Sequence, residues 1–236
     1  MIKQHYNISL AWLEKNRFLV LLFSTLLTLV LPAFFGGGPL SELIFVITLS
    51  FLFIQSTVVA NVRKSRKILL RVIVISMMVL IWLKPAGYDS VYIDLVKLAF
   101  IVAFFVFVVG FLISFISKSK RVDINVLITS INIYLLAGII GASLSLACYQ
   151  VYPDAYNFPA YIEHPVFAHF LYYSFITMST VGYGDITPRI PETQTLAFLI
   201  SISGQLYVAI IIAFLIGKML MQGDQKKAEK KNTKDD

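Results

Sequence analysis

Thr177-Met178-Ser179-Thr180-Val181-Gly182-Tyr183-Gly184-Asp185 is the stretch whose reading decides what the rest of the chain is for. A short, half-polar run, residues 166–179, leads into it, and a long apolar run, about 192–221, follows it. Glycine stands at 182 and again at 184. Glycine reaches positive φ at little steric cost. A backbone with glycine at alternate positions can therefore turn successive carbonyls to one side, which ordinary residues resist. Nine ordered residues in this setting are far more specific than a bare Gly-Tyr-Gly.

The chain around it belongs in lipid. It has 236 residues, 58% of them hydrophobic and only 14% charged. A soluble fold of this size could not hide that much apolar surface. The runs Phe18–Phe35, Leu43–Ala60 and Leu98–Ile116 approach the roughly 20 apolar residues that a membrane span needs. The net charge of +7 does not point to nucleic acid, because the basic residues sit in short loops between apolar runs. Cys148, the single cysteine, excludes an intrachain disulfide and reads as a small buried hydrophobe. No His/Cys cluster, nucleophile–base pair or phosphate loop supports an enzyme. The fold class expected is an all-α membrane protein with six transmembrane helices, about 17–35, 41–61, 67–83, 91–117, 123–150 and 192–221. The first apolar run is longer than a signal-peptide core of roughly 7–15 residues and reads as a retained helix. Lys and Arg crowd the N-terminus, the 61–71 loop, the 118–121 loop and the tail, whereas the opposite side holds only Lys84, Lys97 and Arg189. Both termini are therefore expected in the cytoplasm.

The string from Thr177 to Asp185 resembles the signature of the potassium-channel family. The resemblance covers residues 123–221 in motif detail and 17–117 in helix number only. It implies a potassium-selective channel subunit with a selectivity filter at Thr180, Val181, Gly182, Tyr183 and Gly184. K+, as permeant ion and not as cofactor, would be held at Thr180 to Tyr183 by carbonyls that replace its hydration shell. The Thr180 hydroxyl would add an oxygen ring at the inner end, while Val181 and Tyr183 point away from the axis. One chain carries one such string, and a closed ring of carbonyls needs four, so a homotetramer is implied. That also sets the chain apart from transporter relatives with four degenerate filters in one chain. The short helix, about Phe167 to Ser179, would aim its C-terminal end, which carries partial negative charge, toward a cavity. Tyr172 and Tyr173 stand where many relatives have tryptophan. Asp185 is expected behind the filter with the Tyr172 hydroxyl as its partner. Ile176 occupies the place where some relatives have glutamate, so filter stability and inactivation are expected to differ from theirs.

On helix 6, Gly204 lies where many relatives have a glycine hinge, and two roles compete for it: bending the helix, or allowing close packing. Val208, Ile212 and Ile216 are expected on the inner pore axis, with Leu215 the alternative if the register slips. Such an apolar inner mouth can close by dewetting. The small residues of helix 5, Ala137, Gly138, Gly141, Ala142, Ser143 and Ser145, read as packing against helix 6. A voltage sensor needs several Arg or Lys at every third position of the fourth helix. Helix 4 offers only Asp94 and Lys97, three apart and suited to pairing, and Arg63, Arg66 and Lys67 read as a basic loop. Gating is thus not expected to be steeply voltage-dependent.

The organisation that follows is an interfacial N-terminal segment (1–16), a four-helix transmembrane domain without sensor charges (17–121), a pore domain (122–221) and a disordered cytoplasmic tail (222–236). The tail and basic loops suit anionic lipid, and no nucleotide- or calcium-binding domain is expected after helix 6. His164 and His169, near Glu163, offer a conceivable external pH sensor, though ordinary polar loop residues are the favoured reading. The acids Glu42, Asp89, Asp94, Asp154, Glu163, Asp185 and Glu192 would concentrate cations outside. The expected location is a plasma membrane, of prokaryotic inner-membrane type. The alternative to conduction is a non-conducting or regulatory subunit that assembles with another channel.

Overall fold

The computed structural model describes residues 16–35, 39–59, 64–83, 90–119 and 121–235, without the side chains of 33, 39, 64–67, 69, 83 and 222–235. The expected interfacial segment, apart from Asn16, lies outside the described residues, as do Arg63 and Asp89.

Helix α1 spans Arg17–Val30. Pro32 has no N–H to continue the ladder, and the chain tightens into a 3-10 turn over Leu31–Phe35. Helix α2 is Pro39–Val59, with proline at the first helical position where its missing donor costs nothing. Helix α3 is Lys64–Leu83. Arg66 and Lys67 therefore belong to a helical first turn and not to the loop that the sequence suggests, consistent with the good helix propensity of both residue types. Helix α4 is Val91–Lys118, and Asp94 pairs with Lys97 in its first turns. Helix α5, Ile124–Val151, starts where the Asp123 carboxylate accepts the Val126 N–H at 3.0 Å.

Helix α6, Phe167–Met178, and helix α7, Pro191–Asp235, complete the set. The backbone of α7 stays helical to Asp235, where composition suggests a disordered tail. Lys, Gln, Glu and Ala are good helix formers, and no proline interrupts them. Among the described residues, four helices are long and apolar enough to cross a membrane: Leu40–Val59, Val91–Lys118, Ile124–Val151 and Pro191–Met221. Arg17–Val30 and Leu70–Trp82 are apolar but shorter, so length alone supports four of the six expected spans.

Helix α5 is the hub, contacting α1, α4, α6 and α7. The rings of Phe53 on α2 and Phe104 and Phe105 on α4 pack together inside the four-helix unit. The buried hydroxyls of Ser24, Thr25 and Thr28 donate to carbonyls of their own helix, which spares the apolar surroundings an unpaired donor. Side chains of Asn132 and Lys218 tie the four-helix unit to the last three helices. Asn132 Nδ2 donates to the Phe18 carbonyl at 3.0 Å. Lys218 Nζ donates to the carbonyls of Ile116 (3.1 Å) and Ser119 (2.5 Å) and lies 4.3 Å from the centre of the Phe214 ring. The last carbonyls of a helix have no intrahelical partner and form its negative end, so an ammonium satisfies both needs at the end of α4. Replacing Lys218 by methionine removes these bonds. A cost of about 1.5–3 kcal/mol is expected for hydrogen bonds from a charged donor, seen as a lower melting midpoint of the full chain in detergent, with Lys218→Arg retaining most of the stability.

Candidate functional site

Helix α6 sits wedged against α5 and α7, and three glycines make room for it. A Cβ at Gly138 would stand 2.3 Å from the Phe175 ring, and one at Gly141 would stand 2.4 Å from Ser174 Oγ. Ser174 Oγ donates to the Gly138 carbonyl at 2.9 Å. Gly138 and Gly141 therefore receive α6, and α7 reaches the same stripe through Ile200, near Gly141. The expected packing against the last helix is thus present at Gly141, and packing against α6 is added to it. On α7, a Cβ at Gly204 would stand 2.3 Å from the backbone oxygen of Met178. Of the two roles weighed for Gly204, close approach is the one this geometry displays.

The end of α6 is capped by the segment that follows. Thr180 N–H donates to the Thr177 carbonyl and Gly182 N–H to the Ile176 carbonyl, both at 3.1 Å. Thr180 has φ 62°, Gly182 49° and Gly184 79°, while Val181 and Tyr183 keep negative φ. A segment whose φ changes sign at every residue turns successive peptide groups the same way, the geometry by which a short backbone stretch presents a concave row of like dipoles. Positive φ in a β-branched residue such as Thr180 costs on the order of 1–3 kcal/mol and persists only where its surroundings impose it. A Cβ on Gly182 or Gly184 would meet no atom within 4 Å, so conformation and not crowding requires glycine there. All five residues from Thr180 to Gly184 are exposed in the single chain.

Behind this segment, the Tyr172 hydroxyl donates to Asp185 Oδ2 at 2.7 Å, and Ile186 N–H donates to Asp185 Oδ1 at 3.1 Å. The bond to the carboxylate, with some burial, pushes the Tyr172 hydroxyl up to about 12. Tyr173 faces the other way. It is buried, and its ring meets Tyr156 edge-on at 5.3 Å within a cluster that includes Tyr149, Phe158 and Phe170. Adjacent tyrosines thus do different work: Tyr172 reaches Asp185, and Tyr173 anchors α6 to the loop between α5 and α6.

That loop contains a feature not legible in the sequence. Strand β1, Tyr156–Asn157, pairs antiparallel with β2, Thr187–Pro188, with Tyr156 opposite Pro188 and Asn157 opposite Thr187. The Ala155 carbonyl accepts from Arg189 N–H and from Thr193 Oγ1, each at 2.9 Å. The chain leaving Gly184 is thereby pinned to the chain entering α6. His169 is another such feature. Its Nδ1 accepts the Val166 N–H at 3.0 Å, while its own N–H donates to the Val166 carbonyl. This is a cap at the start of α6, with His169 as the acceptor. His164 is exposed.

On α7, Val208, Ile212 and Ile216 are exposed on one face, while Tyr207, Ile211, Phe214 and Leu215 pack inward. Tyr207 hydroxyl donates to the Ser130 carbonyl at 2.6 Å, fixing that register. Only 11% of the apolar window of α7 is buried, against 50% for those of α2 and α5, so α7 is the span whose surface the chain itself leaves uncovered. Among the described residues, no three His, Cys, Asp or Glu side chains stand close enough to hold a metal ion. The oxygens on offer at the site are backbone carbonyls and the Thr180 hydroxyl.

Gly204→Val would push a branched side chain into the Met178 carbonyl. Overpacking of this kind costs about 1–3 kcal/mol or more, and size-exclusion chromatography of the detergent-purified variant is expected to show loss of the folded species. For His169, burial lowers the imidazole below its ordinary 6.5. Its contribution is then fully present above about 6.5 and is lost as pH falls through the lower folded value, because a protonated Nδ1 cannot accept. Melting midpoints measured between about pH 8 and pH 4.5 are expected to fall more steeply in the wild type than in His169→Gln, whose side-chain oxygen can cap at any pH.

Residues 128–221 match the family model described as "Ion channel". No curated protein and no solved structure matches the chain. The match falls on α5, the Thr180–Gly184 segment and the apolar part of α7. With four membrane-length apolar helices among the described residues, it supports a multi-pass membrane protein whose residues 128–221 are similar to ion-channel pore domains, a non-enzymatic class.

Proposed function

We propose that the chain is one subunit of a potassium-selective channel that assembles as a homotetramer. The observation that carries this reading is the alternation of φ from Thr180 to Gly184 directly after a short, capped helix. Four copies around an axis would stack rings of carbonyl oxygens, closed below by the Thr180 hydroxyls, in place of the water an ion sheds. The C-terminal end of α6 would favour the cation below them. The Tyr172–Asp185 bond and the β1–β2 pair would brace the segment from outside. Val208, Ile212 and Ile216 would line the inner path, and the largely unburied surface of α7 is the surface neighbouring subunits would cover.

Six crossings place the basic segments and both termini on the cytoplasmic side of a plasma membrane, of prokaryotic inner-membrane type. At about 1.5 Å per helical residue and 2.0 Å per 3-10 residue, α1 with its terminal turn reaches about 31 Å, near the thickness of a bilayer core. Between Lys97 and Lys118 helix α4 carries no charge, which supports gating without steep voltage dependence. The basic loops and the lysine-rich end of α7 suit anionic lipid.

The full chain purified into liposomes is expected to take up rubidium under a potassium gradient, with block by barium and no comparable sodium flux. Gly182→Ala is expected to abolish uptake while leaving the oligomer intact, since alanine resists the positive φ there. A folded tetramer that passes no ion under any condition would overturn the reading in favour of a non-conducting partner subunit. Single-channel records with a steep voltage dependence would overturn the gating part alone.

A further inference from the structure

Helices α4 and α5 form a hairpin with a tight closed end. Helix α4 ends at Lys118 and α5 begins at Ile124, so residues 119–123 are the whole connection. Both ends of that connection are fastened. The Ser119 N–H donates to the carbonyls of Phe115 (3.1 Å) and Ile116 (3.3 Å), and the Asp123 carboxylate caps α5. Leu112 and Ile116 on α4 and Val126 on α5 are buried beside the turn, and Val122 packs against the same core. Even fully drawn out with both caps released, the chain from Lys118 to Ile124 spans only about 20 Å, or about two helix widths.

The four-helix unit also grips the last three helices of its own chain at several levels. The Phe45 ring of α2 lies 4.9 Å from the ring of Phe167, the first residue of α6. Asn132 on α5 reaches the Phe18 carbonyl, and Lys218 on α7 holds the carbonyls at the end of α4. The apolar surface that the chain leaves exposed around the site lies elsewhere, at Val181 and Tyr183 and at Val208, Ile212 and Ile216 on α7.

We propose that a neighbouring copy of the chain docks on this exposed surface, while each four-helix unit stays on the pore region of its own chain. Exchanging an element between chains is a low-cost route to oligomers when a hinge permits it. Here exchange would require α4 to leave its own α5 and lie against the α5 of a neighbour. In a ring with α7 innermost, the way to that helix passes at least one intervening helix, so 119–123 would be drawn out to its limit. The bonds at Ser119 and Asp123 and the packing around Ile116 and Val126 would be lost, whereas packing within the chain keeps them all. The exposed surface suits a second copy because it runs from the Thr180–Gly184 segment onto α7, the region that a closed ring must cover. Each subunit then braces its own α6 through α2 and its own α7 through α4, and neither brace crosses from one subunit to the next.

The inference rests on the homotetramer proposed above and not on which ion passes. Phe45→Cys and Phe167→Cys are combined in a Cys148→Ser chain, the detergent-purified assembly is sized by native mass spectrometry, and a short bifunctional thiol reagent is added. On a denaturing gel, chains linked between positions 45 and 167 are expected at monomer size, at least tenfold over linked dimers and larger species, with the link located by peptide mass. A benzophenone side chain placed at position 45 alone leaves α6 unaltered and gives the same readout if the double-cysteine chain does not fold. A native tetramer whose linked chains run as a ladder up to four would overturn this inference and leave the oligomer standing, as would a tetramer in which positions 45 and 167 never link. A native mass of one chain would remove the oligomer and the inference together.

Discussion

The carbonyl of Met178 and the bare Cα of Gly204 share a space in which no side chain fits. That contact fixes where α6 ends, and everything after α6 is positioned by where it ends. In lipid there is no hydrophobic gain from pressing two apolar helices together, so small residues that let backbones meet carry most of the association. Gly138, Gly141 and Gly204 do this from two sides at once. A short helix of 12 residues could not otherwise be held at membrane depth, because it makes too few contacts of its own. Once seated, its open C-terminal carbonyls are satisfied by Thr180 and Gly182, and satisfying them forces the first reversal of φ. Helix capping and the row of aligned peptides are thus one event: the glycines of the Thr180–Gly184 segment continue an alternation that the helix end begins.

The support of that segment is asymmetric. Its back is held within the chain by Tyr172–Asp185, by the aromatic cluster around Tyr156 and Tyr173, and by the pairing of β1 with β2. Its front, and the outward face of α7, are left exposed by the described residues. A protein at membrane depth tolerates irregular backbone only where it is buried in protein or lines an aqueous path. An exposed segment of this kind is consistent with the closed assembly proposed above, in which symmetry supplies the missing wall.

Much of the fold is legible in the sequence, because lipid as solvent makes apolar run length a direct signal. The bounds of α4, α5 and α6 fall within a residue or two of the reading, and the Thr180–Gly184 string is found from its order alone. What is not legible is long-range. Lys218 bonds carbonyls near residue 116, and Asn132 bonds the carbonyl of Phe18; neither partner leaves any mark beside the other in the sequence. The opposite orientations of Tyr172 and Tyr173 depend on which neighbour each meets, and that is set by the rotation of α6 on its glycines. The His169 cap is invisible because histidine is not among the usual capping residues. At the end of α7 the reading errs in the other direction: charge suggests disorder where the strong helix formers of the same residues sustain a helix.

Between Lys97 and Lys118 helix α4 carries no charge, and the links of the four-helix unit to the last three helices suit a mechanical part. Asn132 joins α5 to α1 near the start of α1, and Lys218 joins α7 to the end of α4. Both links use a carbonyl of the four-helix unit as acceptor and a side chain of the pore region as donor. In an apolar medium a donor without its acceptor is costly, so each link resists separation more strongly than an aliphatic contact of the same size. Lys218 lies two residues beyond Ile216, on the stretch of α7 that would have to swing for the inner path to widen. Any such movement must carry the end of α4 with it or break a charged hydrogen bond at a helix terminus. In the channel proposed above, these helices would set the stiffness against which the inner helix moves.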